Sequence, residues 1–360
     1  MTQVISGRAG LVGWHLRAVL HSTGATWHDV DLRQPDVQLG EVDSIDRAVH
    51  VAGITRGTTE DLHEGNIALA RRFVDAIDAT GAVPRRVVHA GSVQAFRDTP
   101  YGLGKAGASA VLADAAERWG AEFLDLPIEN VFGEHGAPDH NTVTATFCHR
   151  RARGLPIPVD SDAERVFVHA QHVADALLGT ISPARLAELG TVMTIPALAA
   201  RLDELAAVYD LGEVPDLSSP FDRDLFNTYR AAVFDVRPVH PLHAAQDHRG
   251  AFTELVRVHG GTGQTGISTT KPGVTRGDHF HRRKVERFVV VAGRARITLR
   301  RVLSDDRRHF DVDGDHPVAI DMPTLWSHAI TNTGDEPLVT AFWTNDLFDP
   351  TAPDTHQDRA

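Results

Sequence analysis

Along the first two-thirds of the chain, short continuous apolar runs alternate with segments whose apolar residues recur at helical spacing. Val4-Ile5-Ser6 leads into a glycine-rich turn, and residues 13–20 then carry a helical pattern. Extended runs follow at 26–32 and 48–52. A helix is predicted over 62–80, with Ile67, Ala70, Phe73, Val74 and Ile77 on one face, then a strand at 86–90 and a helix over 104–118. Strands alternating with helices predict an α/β, Rossmann-type, doubly wound parallel sheet.

The pattern changes after about residue 234. Pro238 and Pro241 punctuate the chain, and the strong segments beyond them are short, β-branched and separated by Gly, Asp and Pro. Strands are expected at 253–258, 287–292, 294–301, 318–321 and 339–343, which together predict an all-β jelly roll or small barrel. The expected domains are therefore 1–238, α/β, and 239–360, all-β.

Composition narrows the function classes. A chain of 360 residues, 42% apolar and 23% charged, is that of a globular protein of about two domains, and excludes a mainly disordered, collagen-like or coiled-coil chain. A single cysteine, Cys148, excludes an intramolecular disulfide or a Cys-only zinc site and fits a reducing compartment. The net charge of −12 disfavours broad adhesion to nucleic acid or anionic membrane. No run approaches the roughly 18 apolar residues of a membrane span, and the N-terminus lacks a signal-peptide pattern. The expectation is a cytoplasmic protein whose partners are small molecules.

Gly7-x-x-Gly10-x-x-Gly13 follows a strand and opens a helix, the context in which backbone approaches a pyrophosphate at a helix N-terminus. Asp31, 18 residues beyond Gly13, stands where a carboxylate accepts the adenosine ribose hydroxyls of NAD(H). Arg8 and Arg33 could instead grip a 2′-phosphate, which favours NADPH and leaves NADH as the alternative. Gly53, after the next extended run, suits backbone lying against the cofactor. Tyr101-x-x-x-Lys105 is the sharper signal. With three Tyr and three Lys in the chain, such a pair is expected about 0.025 times by chance. On a helix the two share one face, so Lys105 can assist the Tyr101 phenol in passing a proton to or from a carbonyl oxygen. Ser92, at the end of the preceding strand, is placed to hydrogen-bond the same oxygen.

With 21 histidines, an isolated His-x-His arises about once by chance, so its surroundings decide its meaning. Gly273-x5-His279-x-His281-x4-Glu286-x6-Gly293 reproduces the first cupin motif, and strand alternation would point His279 and His281 into a barrel, with Glu286 on the next strand. Pro323-x4-His328-x3-Asn332 resembles the second motif and would add a third imidazole, although Leu325 stands where that motif has Gly. Three His and a carboxylate suit a divalent metal, Zn first, with Fe, Ni and Mn as alternatives.

Ser92, Tyr101 and Lys105, with Asn66 and Asn130-Val-Phe-Gly133, resemble the extended short-chain dehydrogenase/reductases. Followed by the cupin motifs, they make nearly the whole chain similar to the CapF-like bifunctional enzymes of capsular polysaccharide biosynthesis. Further carriers are Ser92-Val-Gln-Ala95, the run 141–148, Lys271-Pro-Gly-Val-Thr-Arg-Gly277 and Pro353-Asp-Thr355. The resemblance implies C3 epimerisation of a UDP-linked 4-keto-6-deoxy amino sugar by the cupin, then NADPH-dependent reduction at C4, in a homodimer. It leaves two rival readings open: a single-activity reductase or 4-epimerase whose cupin only binds substrate or dimerises, and a non-catalytic NADP(H) sensor. Pro127, Ala90-Gly91 and Gln171-His172 depart from the family pattern near the expected substrate side, and Lys284 is a candidate enolising base.

Overall fold

Consecutive apolar residues at Val4-Ile5, Ala48-Val49 and Val87-Val88 are all fully buried, which a strand permits only when both faces of its sheet are covered. The computed structural model, describing residues 2–34, 39–140 and 142–360, has that arrangement. Strands β1 (Thr2–Ser6), β2 (Thr26–Val30), β3 (Ile45–His50), β4 (Pro84–Ala90) and β5 (Glu122–Leu126) form a parallel sheet in the order β2-β1-β3-β4-β5. The helices are α1 (Leu11–Ser22), α2 (Asn66–Asp78) and α3 (Pro100–Trp119). Beyond β5 come β6 (Asn130–Phe132), α4 (Val143–Ala152), β7 (Glu164–His169), α5 (Ala170–Leu178), α6 (Pro183–Leu189) and β8 (Thr191–Thr194). Strands β6, β7 and β8 make a smaller sheet.

One face of the parallel sheet packs Val4, Ala48 and Val87 against Phe73 and Ile77 of α2 and Leu112 of α3. The opposite face packs Ile5, Val49 and Val88 against Leu16 and Leu20 of α1 and Val173 and Leu177 of α5. Each large side chain buried in this way contributes about 1.5–3 kcal/mol. The strand order reverses direction between β1 and β3, so a crevice opens at their carboxyl ends, where doubly wound sheets hold ligands.

Helix α3 begins four residues before the predicted position. Thr99 Oγ1 accepts the Gly102 N–H at 3.1 Å and Pro100 occupies the first turn, so capping outweighs the weak propensity of the two glycines that follow. The predicted helix over 62–80 is a π-helical turn, Asp61–Gly65, running into α2.

The chain divides into two compact units, one of Met1–Phe132, His140–Thr142 and Ala163–Met193, the other of Gly133–Asp139, Val143–Asp162 and Thr194–Ala360. This division differs from a cut at 238/239. The second unit includes α4, α7 (Ile195–Asp210) and α8 (Pro220–Phe234), followed by β9 (Val239–Pro241), β10 (Ala244–Asp247), β11 (Gly250–Thr253), β12 (Gln264–Thr270), β13 (Thr275–Phe280), β14 (Glu286–Ala292), β15 (Arg294–Arg301), β16 (Arg307–Asp313), β17 (Val318–Met322), β18 (Trp326–Asn332), β19 (Leu338–Thr344) and β20 (His356–Gln357). Two five-stranded antiparallel sheets result, β12-β19-β14-β17-β9 and β16-β15-β18-β13-β20.

The helices join this unit because their side chains complete its core. Phe234 packs with Ile297, Ile320, Met322, Trp326 and Ile330. Arg230 donates to the Met322 carbonyl at 2.6 Å, and Tyr209 donates to Asp321 at 2.7 Å, where Arg287 makes a buried ion pair. The strand expected at 253–258 is absent: β11 ends at Thr253, and Val258 forms only an isolated bridge with Val214. Glu254 and Arg257 in that segment pair with each other, and Arg257 also pairs with Glu213, all through side chains rather than a ladder. Among the described residues no helix is long and apolar enough to cross a membrane. Asn141, which opens the run 141–148, lies outside the described residues.

Candidate active site and metal centre

The glycine turn sits at the carboxyl end of β1. Gly7 has φ +77°, and a Cβ there would lie 2.5 Å from the Ala52 nitrogen, so only glycine lets the loops after β1 and β3 close on each other. Gly10 donates to the Gly7 carbonyl at 3.1 Å and stands at the N-cap of α1 with no side-chain cap and no acidic residue in the first turn. Its free N–H groups and the helix dipole suit an anion. A Cβ on Gly13 would strike the Gly7 carbonyl, which keeps α1 tight against the turn.

Gly53 lies in the loop after β3, which is fixed by the buried Asn66. The Asn66 amide accepts from the Ile54 N–H at 2.9 Å and donates to the Ile54 and Leu62 carbonyls at 3.0 and 2.8 Å. At the end of β2 the four charged groups are already engaged with one another. Arg33 donates to both oxygens of Asp31 at 2.9 Å, and Arg8 lies 3.1 Å from Asp29 and 3.7 Å from Asp31. The Arg33 contacts hold the Asp31 carboxyl well below the usual carboxylate range. Asp29, which the sequence reading passed over as an ordinary strand residue, has its carboxyl pushed up by burial.

Ser92 follows β4, caps the short turn 93–96 by accepting from the Gln94 N–H at 3.2 Å, and lies near enough to the Tyr101 phenol to favour its ionised form. Burial pushes the Tyr101 phenol up, and the Ser92 contact opposes that effect. Lys105 is 4% exposed and donates to the Ala90 carbonyl at 2.7 Å, with its ammonium 3.1 Å from His89 Nε2. Burial lowers it from 10.5 to about 8, with Asp125 acting in the opposite sense. The structure thus brings Ser92 and Tyr101 into contact and sets Lys105 one turn along the same helix, but directs its ammonium inward to the sheet. His89 and Asp125 escaped the sequence reading; their only signal was a polar residue inside each of two apolar runs.

In the second unit, His279, His281, Glu286 and His328 offer ligand atoms that all lie within 4.8 Å of one another. Their rings and carboxylate come from three segments. His279 lies near the end of β13, after a bulge at Gly277, where a Cβ would lie 2.5 Å from the His328 carbonyl. His281 follows that strand, Glu286 opens β14, and His328 lies on β18 opposite His279 in the register.

Glu286 Oε2 is 2.9 Å from His281 Nε2 and 3.4 Å from His328 Nε2. Burial pushes the Glu286 carboxyl up, but the two imidazoles outweigh it and hold it well below the usual range. His279 is pushed down to about 4, by burial first and then by His328 and His281. A neutral imidazole is the ligand form.

These residues fit a divalent ion. Among the described residues Nδ1 of the buried His328 ring has no hydrogen-bond partner and Nε2 meets only the Glu286 carboxylate, at 3.4 Å without hydrogen-bond geometry, a state that a bound metal would relieve. His281 Nδ1 donates to the Asp354 carbonyl, leaving Nε2 to face the cluster. The Asp354 carboxylate in turn accepts the N–H groups of Arg282, Arg283 and Lys284 at 2.9–3.1 Å. Sequence reading gave Asp354 no role. Lys284 is buried, and its ammonium donates to the Pro353 carbonyl at 2.9 Å.

Residues 3–192 match the NAD dependent epimerase/dehydratase family, and residues 245–356 the polysaccharide biosynthesis C-terminal domain. Over 99% of this chain and 98% of the relative, the sequence is 30% identical to a UDP-2-acetamido-2,6-beta-L-arabino-hexul-4-ose reductase of Pseudomonas aeruginosa. The spore coat polysaccharide biosynthesis protein SpsL of Bacillus subtilis is 27% identical over 32% of this chain and 83% of its own. The crystal structure of the capsular polysaccharide assembling protein CapF from Staphylococcus aureus superposes with a TM-score of 0.60 at 29% identity, covering 100% of both chains. The matched segments coincide with the parallel sheet and its helices on one side and the antiparallel sheets on the other: this chain belongs to the NAD dependent epimerase/dehydratase family, in the CapF-like form that adds a polysaccharide biosynthesis C-terminal domain.

Proposed function

We propose that the chain is a bifunctional sugar-nucleotide enzyme whose C-terminal cupin epimerises C3 of a UDP-linked 4-keto-6-deoxy amino sugar and whose N-terminal domain then reduces C4. The observation that carries the reading is the Ser92–Tyr101 contact with Lys105 one helical turn beyond, at the crevice end of the sheet. The whole-length likeness to a UDP-sugar 4-keto reductase supports the substrate class.

The glycine turn with Arg8, Arg33, Asp31 and the Gly53 loop would hold NADPH, which when bound would supply the hydride. Tyr101 gives its proton to the C4 oxygen, and Ser92 hydrogen-bonds that oxygen as its charge grows. Because burial makes the phenol a reluctant acid, a cation is needed to stabilise the phenolate left behind, and Lys105, one helical turn along α3, is assigned that role. At pH 7, a lysine held at about 8 remains mostly charged.

The donor set of three imidazoles and one carboxylate, on strands of two antiparallel sheets, supports a cupin holding zinc. The ion supplies Lewis acidity at a substrate oxygen. The C3 proton is acidic only while C4 is a ketone, so epimerisation precedes reduction.

Proton NMR in deuterated water with a UDP-linked 4-keto-6-deoxy-N-acetylhexosamine tests both activities. Deuterium entering C3 before NADPH is added, and a new C4 alcohol afterwards, is the expected result. Reduction without exchange would overturn the epimerase half and leave a single-activity reductase. Exchange and NADPH oxidation both missing would favour a sensor.

A further inference from the structure

A row of polar residues, buried except for the partly exposed Asp125 at its end, crosses the parallel sheet at one level, where the surrounding strand positions are apolar. Ser6 on β1, His50 on β3, His89 on β4 and Asp125 on β5 occupy it, and the last three are direct register partners on adjacent strands. Ser6 Oγ lies 3.0 Å from His50 Nδ1. The His50 and His89 rings are 5.8 Å apart, and His89 Nδ1 lies 3.0 Å from Asp125 Oδ1. Asp125 Oδ2 accepts from Ser109 on α3 at 2.5 Å. Lys105, on the same helix as Ser109, reaches into this row, with Nζ 3.1 Å from His89 Nε2.

The directions of the donors fix the states. The Asp125 carboxylate 3.0 Å from Nδ1, close but without hydrogen-bond geometry, favours the imidazole proton on that nitrogen, and the Lys105 ammonium favours a lone pair on Nε2. Burial lowers His89, which keeps the ring neutral, while His89, Ser109 and Lys105 together overcome the burial of Asp125 and keep it ionised. His50, fully buried, is also held neutral. Charged groups on the other element packed against this part of α3 are turned elsewhere: Asp61 accepts from Thr58, and His63 lies 3.2 Å from Glu64. Among the described residues, Asp125 is the one anion that acts on Lys105. Room for it is built into the chain, because a Cβ on Gly91 would strike Asp125 Oδ1.

We propose that the buried His89 and the partly exposed Asp125 beside it are the positioning partners of Lys105, holding its ammonium in place and charged from the sheet side, independently of bound cofactor or substrate. This rests on the reading of Tyr101 and Lys105 as the proton-handling pair of a reductase. Without the pair, the ammonium would be left with the Ala90 carbonyl alone, in a site whose burial favours the neutral amine.

The small number of lysines makes the test direct. The full chain, labelled with carbon-13 at lysine Cε, is titrated by NMR without substrate, and the resonance missing from Lys105→Arg assigns Lys105 among the three lysines. The wild-type midpoint is expected near 8, against an ordinary 10.5. Asp125→Asn and His89→Phe should each lower it, the former by about one pH unit. The alkaline limb of the reductase rate, at saturating NADPH and 4-keto sugar nucleotide, should move down with it. A merely structural loss would reduce the rate at every pH without moving either midpoint. A wild-type Lys105 midpoint near 10.5, or one that neither variant moves, would overturn the proposal, and the wild-type titration stands even where a variant fails to fold. Absence of any reduction, with the titrations as expected, would instead remove the reductase reading and leave the coupling intact.

Discussion

The Leu325 N–H donates to the His281 carbonyl at 2.8 Å, tying the turn that presents one imidazole of the metal cluster to the segment that carries another. Leu325 does this at φ +64°, in the left-handed region, with its side chain fully buried. The backbone has the shape a glycine would give it, and burial of the leucine offsets a strain of about 1–2 kcal/mol. Leu325→Ala should lower stability by about 2–4 kcal/mol. Leu325→Gly should be no less stable than Leu325→Ala, the reverse of the usual order, because glycine takes this φ without strain. Melting temperatures of the metal-free variants check the sign.

Loss of any one of the four side chains should weaken or abolish the proposed zinc binding. His281→Ala and His328→Ala are expected to lose one equivalent of bound zinc in a chromogenic chelator assay, and Glu286→Gln to weaken binding at least tenfold. Asp354 acts on the cluster through its main-chain carbonyl and through three N–H groups that its carboxylate gathers. Asp354→Ala should therefore lower zinc affinity about 10- to 100-fold, the usual cost of losing an outer-shell partner, although it touches no ion.

The two chemistries should separate cleanly by mutation. Tyr101→Phe removes the transferable proton while keeping the ring, so NADPH oxidation should fall by about 10²–10⁴. Deuterium exchange at C3 should persist in that variant. His281→Ala should give the opposite pattern, with no exchange and unimpaired reduction of a ketone supplied with its C3 already inverted.

Cofactor choice is expected to follow the arginines at the end of β2. Arg33 is committed to Asp31, and Arg8 bridges Asp29 and Asp31, so a 2′-phosphate would replace a carboxylate as their partner. Arg8→Ala with Arg33→Ala should raise KM for NADPH by at least tenfold and leave KM for NADH nearly unchanged. Asp31→Asn should shift preference further toward NADPH. Steady-state kinetics with both cofactors decides it.

Much of this was legible in the sequence because the signals were rare or periodic. Tyr101 and Lys105 stood out through the scarcity of their residue types, and the paired apolar residues of β1, β3 and β4 announced strands covered on both faces. Residues that act by location were not legible. His89 and Asp125 look like random interruptions of apolar strands until the register makes them neighbours. Phe234, Tyr209 and Arg230 sit in segments with ordinary helical patterns, and only their contacts with β17 and β18 assign α7 and α8 to the antiparallel unit. At 253–258 the apolar content suggested a ladder, but charged side chains pair there instead.

Gly91 gives the last prediction. It stands where the resemblance expects a small hydroxyl residue, and the structure supplies a reason: a Cβ at this position would strike Asp125 Oδ1 and come within 3.0 Å of the Leu126 carbonyl. The glycine thus makes room for the Asp125 carboxylate. Gly91→Ser should destabilise the wild-type chain by about 1–3 kcal/mol, the cost of overpacking a closed site. In an Asp125→Ala background the same substitution should cost less, because the nearest obstacle is gone and only the Leu126 carbonyl remains. A double-mutant cycle on unfolding temperature therefore predicts a favourable coupling between the two changes. Equal cost in both backgrounds would mean that Gly91 answers to the backbone of β5 rather than to Asp125.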